Sequence, residues 1–168
     1  MKHPQVILVA PCILYPSLQA CAPNNPTHWG TQFSTLLESS EVKIIPLPCP
    51  ESEFCGIPRK KHGIDYYRAL RGYEDFCSQK AQETFTNVLY LSRQGIHVLA
   101  CLGVEHSPSC AVSYMYSNRG MLKCKGLFFE HLYNLFQENN FPCEWIGINR
   151  THPPKSYNAL KRLLDSHR

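Results

Sequence analysis

The sequence has 168 residues, enough for one domain with a sizeable buried core, so we expect residues 1–168 to form a single domain. The formal net charge is +4 and no block of Lys or Arg occurs, which does not favour nucleic-acid binding. No apolar run approaches the length of a transmembrane helix, and Val6–Ala10 is too short for the apolar part of a signal peptide. We therefore expect a cytoplasmic protein without membrane association.

Hydrophobic patterning predicts strands that alternate with helices. Short apolar runs predict buried strands at Val6–Ala10, Val42–Leu47, His97–Gly103 and Cys143–Ile148. Helical spacing predicts His28–Ser39 with Thr27 as its cap, Asp65–Gln94 with a break at Gly72, Gly126–Asn140 and Lys155–Ser166. Proline-rich composition predicts loops at Tyr15–Thr27 and Pro48–Pro58, and Ala111–Lys125 is expected to be irregular or a small hairpin.

This alternation predicts an α/β fold. Strands that are apolar throughout are typical of a parallel sheet covered by helices on both faces. We expect three layers around a mainly parallel sheet of about four to five strands. Right-handed crossovers place the carboxyl ends of all parallel strands at one edge, where such sheets bind their ligands.

Three of the nine cysteines follow predicted strands by a few residues. They are Cys12, Cys49 and Cys110, and the topology brings them towards the same edge of the sheet. Cys101, inside an apolar run, is instead expected to be a small buried side chain. Without a signal peptide, metal or redox use of the cysteines is favoured over disulfides.

Three converging thiolates suit either zinc or an iron–sulfur cluster in which one iron has no protein ligand. No C-x-x-C pair, common in structural zinc sites, occurs in the sequence. A catalytic zinc would take His106 or a water as its fourth ligand. Three unrelated free thiols near one edge are the simplest alternative.

Three motifs resemble the thiouracil desulfidase family, and are closest to a related, less characterised branch of it. They are Cys12-Ile13-Leu14, the Pro-Cys-Pro-Glu of Pro48–Glu51 followed by Gly56–Arg59, and the Ser-Pro-Ser-Cys of Ser107–Cys110. The resemblance extends from about Val6 to Ile148. Ala111 departs from the Gly that is common after the third cysteine, and Tyr15–Pro26 departs from the usual first loop.

The resemblance implies a Rossmann-like domain with a 4Fe–4S cluster held by Cys12, Cys49 and Cys110. In that family the iron without a protein ligand binds the sulfur of a thiolated small molecule. Water or hydroxide replaces the sulfur at carbon without net redox change, and the sulfur leaves as sulfide. By motif, Glu51 and Ser107 match the acidic residue and the serine that assist.

The residue types fit these roles. Glu51, two residues after Cys49, is placed for acid–base catalysis, and Ser107 can donate a hydrogen bond to a sulfur atom. Glu105 and His106 compete for the same roles. The alternatives are a surface or capping carboxylate for Glu51 and a turn residue before Pro108 for Ser107.

The sequence therefore predicts a cluster-dependent desulfidase that acts on a thiouracil-like compound. A zinc hydrolase on the same three thiolates is a second hypothesis. A non-catalytic iron–sulfur protein, which senses redox state or carries sulfide, is a third. The basic segment Arg59–Gly63 is expected to be a solvated loop, with a lid over an anionic substrate as the alternative.

Overall fold

The computed structural model describes residues 3–20 and 29–167 of the chain. The strands are β1 (Gln5–Val9), β2 (Lys43–Pro46), β3 (His97–Val104), β4 (Met115–Ser117), β5 (Gly120–Leu122) and β6 (Glu144–Ile148). The helices are α1 (Pro11–Leu14), α2 (Thr31–Glu38), α3 (Pro50–Cys55), α4 (Ile64–Ala69), α5 (Tyr73–Arg93), α6 (Leu127–Glu138) and α7 (Pro153–Ser166), and a 3-10 turn covers Pro16–Leu18. The predicted cap Thr27 and most of the predicted loop around it lie outside the described residues.

The main sheet has four parallel strands in the order β2-β1-β3-β6. The two central strands, β1 and β3, are almost fully buried, whereas β2 at one edge is more exposed. The predicted mainly parallel sheet is confirmed. The central strands β1 and β3 are apolar over nearly their whole length because both of their faces are covered.

Helices cover the sheet on both sides. Helix α5 packs against α6, and α2 packs against α7. Right-handed crossovers explain why helices lie on both faces. The connection from β1 to β2 crosses the sheet in one direction, and the connections from β2 to β3 and from β3 to β6 cross it in the opposite direction. The order in which strands are added across the sheet reverses between β1 and β3. The crevice beyond the carboxyl ends of these two strands is therefore the expected ligand site.

Two local predictions are confirmed. The long helical pattern divides at Gly72 into α4 and α5, and the segment after Cys110 contains the antiparallel hairpin β4–β5. Within the described part of the chain, no helix is both long and apolar enough to cross a bilayer.

The prediction of a rigid loop over Pro48–Pro58 is wrong in its middle, where α3 forms. Pro50 occupies the first turn of this helix, where the backbone N–H that proline lacks would have no partner within the helix. Glu51 and Glu53 place negative charge at the helix N-terminus, where it interacts favourably with the helix dipole and stabilises the helix. Prolines also start α7 at Pro153, two residues before the predicted start, for the same reason.

Candidate functional site

A pocket lies at the carboxyl edge of the parallel sheet. The thiols of Cys12, Cys49 and Cys110 all line it, and each comes from a segment that follows a different strand. Glu51 and Ser107 line the same pocket. The structure thus brings together the five residues that the sequence motifs single out.

The three thiols interact electrostatically with one another. Burial, together with nearby Cys49 and Glu51, raises the pKa of Cys12 to about 12. Burial also raises the pKa of Cys110, together with the charges of Cys49 and Cys12. Such thiols stay protonated near neutral pH unless a bound cation stabilises the thiolate form.

The turn that carries Cys110 is held tightly between β3 and α6. A Cβ atom at Gly103 would collide with the carbonyl of Cys110, and one at Gly126 would collide with the backbone of Ser109. The first turn of α6 donates backbone hydrogen bonds from Leu127 to the carbonyl of Pro108 and from Phe129 to that of Ser109. Glycine is therefore required where the backbone of the turn meets its neighbours.

Ser107 organises this turn. Its Oγ accepts hydrogen bonds from the backbone N–H groups of Cys110 at 3.1 Å and Ser109 at 3.3 Å. The same Oγ donates its proton to Oε1 of Glu51 at 3.3 Å. Ser107 therefore is a turn residue, as the alternative had it, and also a link between Glu51 and the pocket that it lines.

The carboxylate of Glu51 is buried and accepts hydrogen bonds from four residues. Its Oε2 accepts from Nε and Nη2 of Arg59 at 3.3 and 3.2 Å and from the hydroxyl of Tyr67 at 3.3 Å. Its Oε1 accepts from Ser107 and, at 3.0 Å, from Ser109. Every partner is a donor, which is the pattern that suits an ionised carboxylate. Glu51 is not the surface residue of the alternative hypothesis, since it is only 7% exposed.

Arg59 was expected to lie in a solvated loop, and that prediction is wrong for this residue. Its side chain is 8% exposed and forms an ion pair with Glu51. Although burial opposes the charge, the pKa of Arg59 is raised because Glu51 and Cys49 are close. The neighbouring Lys60 and Lys61 are exposed, as predicted.

Ser109 and Tyr73 were not identified as site residues from the sequence. Ser109 is 1% exposed and donates to Glu51, so its oxygen accepts the proton of the Tyr73 hydroxyl, 2.6 Å away. This chain of hydrogen bonds connects α5 to α3 through the Cys110 turn. Its only sequence signal was the position of Ser109 inside the Ser-Pro-Ser-Cys motif.

Glu105 and His106 compete with Glu51 for the acid–base role, but only one of the two, His106, lines the cysteine pocket. Oε2 of Glu105 accepts hydrogen bonds from the backbone N–H groups of Ser113 and Tyr114 at 3.1 and 2.9 Å, and Glu105 does not line the cysteine pocket. His106 lines that pocket and stacks on Tyr116. Burial, with some help from nearby cations, lowers the pKa of His106 below its usual value.

The other described cysteines do not line the pocket. Cys55, Cys77, Cys101, Cys124 and Cys143 lie elsewhere, and Cys21 lies outside the described residues. Cys55 follows Cys49 by six residues but sits at the end of α3. All eight described cysteines are free thiols.

Two further observations bear on what the pocket can hold. Among the residues that the structure describes, no three His, Cys, Asp or Glu side chains are grouped so that they could hold a metal ion. Nη1 of Arg59 and Nδ1 of His106, both on residues of the pocket wall, are buried and have no hydrogen-bond partner within the described ranges. Both atoms lack the partner that buried polar groups usually have.

Comparison with known proteins identified no relative. No family model matches the chain, and no curated protein or solved structure matches it either.

Proposed function

We propose that this protein is an enzyme that removes sulfur from a thiolated small molecule, with a 4Fe–4S cluster held by Cys12, Cys49 and Cys110. The observation that carries the proposal is the pocket itself. Three thiols from three strand ends line it together with one buried carboxylate and one serine hydroxyl. When bound, such a cluster supplies an iron without a protein ligand, which acts as a Lewis acid towards a substrate sulfur.

The donor set suits this group. Cysteines that hold a four-iron cluster each bind a different iron, so they surround the cluster rather than converge on one point. The three pocket cysteines interact electrostatically in every pairwise combination. The unpartnered Nη1 of Arg59 adds a buried donor that a sulfur-rich, negatively charged group can use.

Glu51 and Ser107 are the proposed acid–base and positioning groups. Oγ of Ser107 lies 3.3 Å from Oε1 of Glu51 and also accepts two backbone hydrogen bonds of the Cys110 turn, so it positions the carboxylate beside the pocket that both residues line. The ion pair with Arg59 and the hydroxyl of Tyr67 hold Oε2, which leaves Oε1 directed towards the Cys110 turn. We propose that Oε1 accepts a proton from the attacking water and then gives it to the sulfur that leaves.

The experiment is anaerobic reconstitution followed by turnover of 2-thiouracil. We expect a brown protein with roughly four iron atoms per chain that releases sulfide and uracil. A colourless protein with stoichiometric zinc would favour the zinc hydrolase. A loaded protein without turnover of any thiolated pyrimidine would favour the sensor or sulfide carrier.

A further inference from the structure

Arg59, one of the residues that line the cysteine pocket, has a donor without a partner. Its side chain is only 8% exposed, and two of its nitrogens, Nε and Nη2, bind Oε2 of Glu51. The third nitrogen, Nη1, is buried and has no hydrogen-bond partner in the described part of the chain. Burying an N–H group of a charged side chain without a partner is unfavourable, so this atom is expected to have a partner in the functional protein.

The position of Arg59 indicates which partner. Arg59 lines the same pocket as the three cysteines, and it interacts electrostatically with Cys49 and Cys12. Lys61 also lines the pocket but is exposed, so water screens its charge. Arg150 also lines the pocket and interacts with Cys12, but Arg59 is in addition held by burial and by its ion pair with Glu51.

Resting on the proposed function, we propose that Arg59 is the electrostatic partner of the bound iron–sulfur cluster. Nε and Nη2 hold Glu51, and Nη1 donates a hydrogen bond to a sulfur atom of the cluster or of its cysteine ligands. Positive charge and hydrogen bonds to sulfur stabilise the more negative, reduced form of such clusters. Arg59 thereby raises the reduction potential of the cluster and slows its loss from the protein.

The test compares Arg59→Lys with the control Lys60→Arg, both as anaerobically reconstituted protein. Arg59→Lys keeps the charge and can still pair with Glu51, but one ammonium group cannot also occupy the place of Nη1. We expect a lower midpoint potential by spectroelectrochemistry and at least about tenfold faster loss of iron to a chelator. Lys60→Arg, the reverse exchange at the next, exposed residue, should match the wild type in both.

Equal potentials and equal iron loss in Arg59→Lys and the wild type overturn the inference. So does an unchanged potential with a raised KM for 2-thiouracil, because Nη1 would then bind the substrate instead. If Arg59→Lys takes up no cluster, Glu51→Gln provides a second measurement. It keeps the Arg59 side chain but removes the charge with which Arg59 pairs, so a loaded Glu51→Gln protein shows that the loss in Arg59→Lys comes from Nη1 and not from a broken ion pair, and a Glu51→Gln protein that also takes up no cluster contradicts the assignment. A wild-type chain that binds no iron overturns the proposed function as well, whereas the other outcomes concern Arg59 alone.

Discussion

Among the described residues, cysteines come together at the carboxyl edge of the sheet and again between β3 and β6, and the surroundings of the two groups differ. At the carboxyl edge of the sheet, Cys12, Cys49 and Cys110 line a pocket with a carboxylate and with cations. Between β3 and β6, the sulfur of Cys143 lies 3.6 Å from that of buried Cys101. Burial raises the pKa of Cys101, and so does Cys143, but no cation is among the causes.

This difference shows that proximity alone does not make a reactive thiol site. Arg150 and Arg59 act to lower the pKa of Cys12, although burial, Cys49 and Glu51 outweigh them, so the pocket offers part of the positive charge that a thiolate needs. The pair Cys101 and Cys143 packs against the apolar core and has no such compensation. Thiolates form and bind metals in electropositive, partly open surroundings, while thiols buried among apolar groups are inert.

The largest expected effect separates the two groups of cysteines by substitution. Cys110→Ser should abolish both cluster retention and turnover, because a hydroxyl is a poor ligand for iron in such clusters. Cys143→Ser should keep both near the wild-type level. Iron and sulfide content and 2-thiouracil turnover measure the difference. A fully loaded, active Cys110→Ser protein would remove Cys110 from the site.

Glu51→Gln tests whether the carboxylate of the pocket acts in the reaction. We expect the cluster to be retained and turnover per iron to fall by roughly 10²–10⁴-fold, the usual contribution of a general acid–base group. Ser107→Ala should lose less, because it removes the link to Glu51 and two hydrogen bonds of the turn but no ionisable group. Wild-type turnover in Glu51→Gln would shift the role to His106, since Glu105 does not line the pocket.

A third comparison concerns stability of the metal-free protein. Ser109→Ala should lower the free energy of unfolding by about 1–3 kcal/mol, because it removes the hydroxyl that the buried Tyr73 binds and one of the two donors to Oε1 of Glu51. Cys143→Ala, at the other pair, should cost less than about 1 kcal/mol because its sulfur is a weak hydrogen-bonding group. Denaturant titration of both variants measures this. Equal losses would show that the polar network adds nothing beyond packing.

The smallest expected effect concerns His106. Burial and the charges of Arg150 and Lys61 disfavour its protonation, so its pKa should lie below the usual 6.5 for histidine. Because the unfolded chain then binds the proton more readily than the folded one, His106 should lower stability as the pH falls through 6.5. Proton NMR of the ring measures the pKa. His106→Asn should weaken the loss of stability on acidification, and a ring that titrates above 6.5 would contradict the prediction.

Short-range sequence patterns predicted the sheet and the edge at which the cysteines meet. The apolar runs of β1 and β3 and the helical spacing in α5 and α6 are local signals. Once the strands are parallel, right-handed crossovers oblige the segments after them to share an edge. Cys12, Cys49 and Cys110 could therefore be grouped before any contact was known.

The partners of Glu51 could not be found in this way, and only the tertiary structure decided them. Tyr67, Ser107 and Ser109 are 16, 56 and 58 residues from Glu51, and no periodic pattern connects them. Arg59 is only eight residues away, but the intervening chain has to turn back before the two charges can meet. A local pattern indicates whether a residue is polar, while the folded chain decides whether a polar residue meets water or a buried partner. Arg59 and Lys60 are adjacent basic residues, yet Arg59 meets a buried carboxylate while Lys60 is exposed.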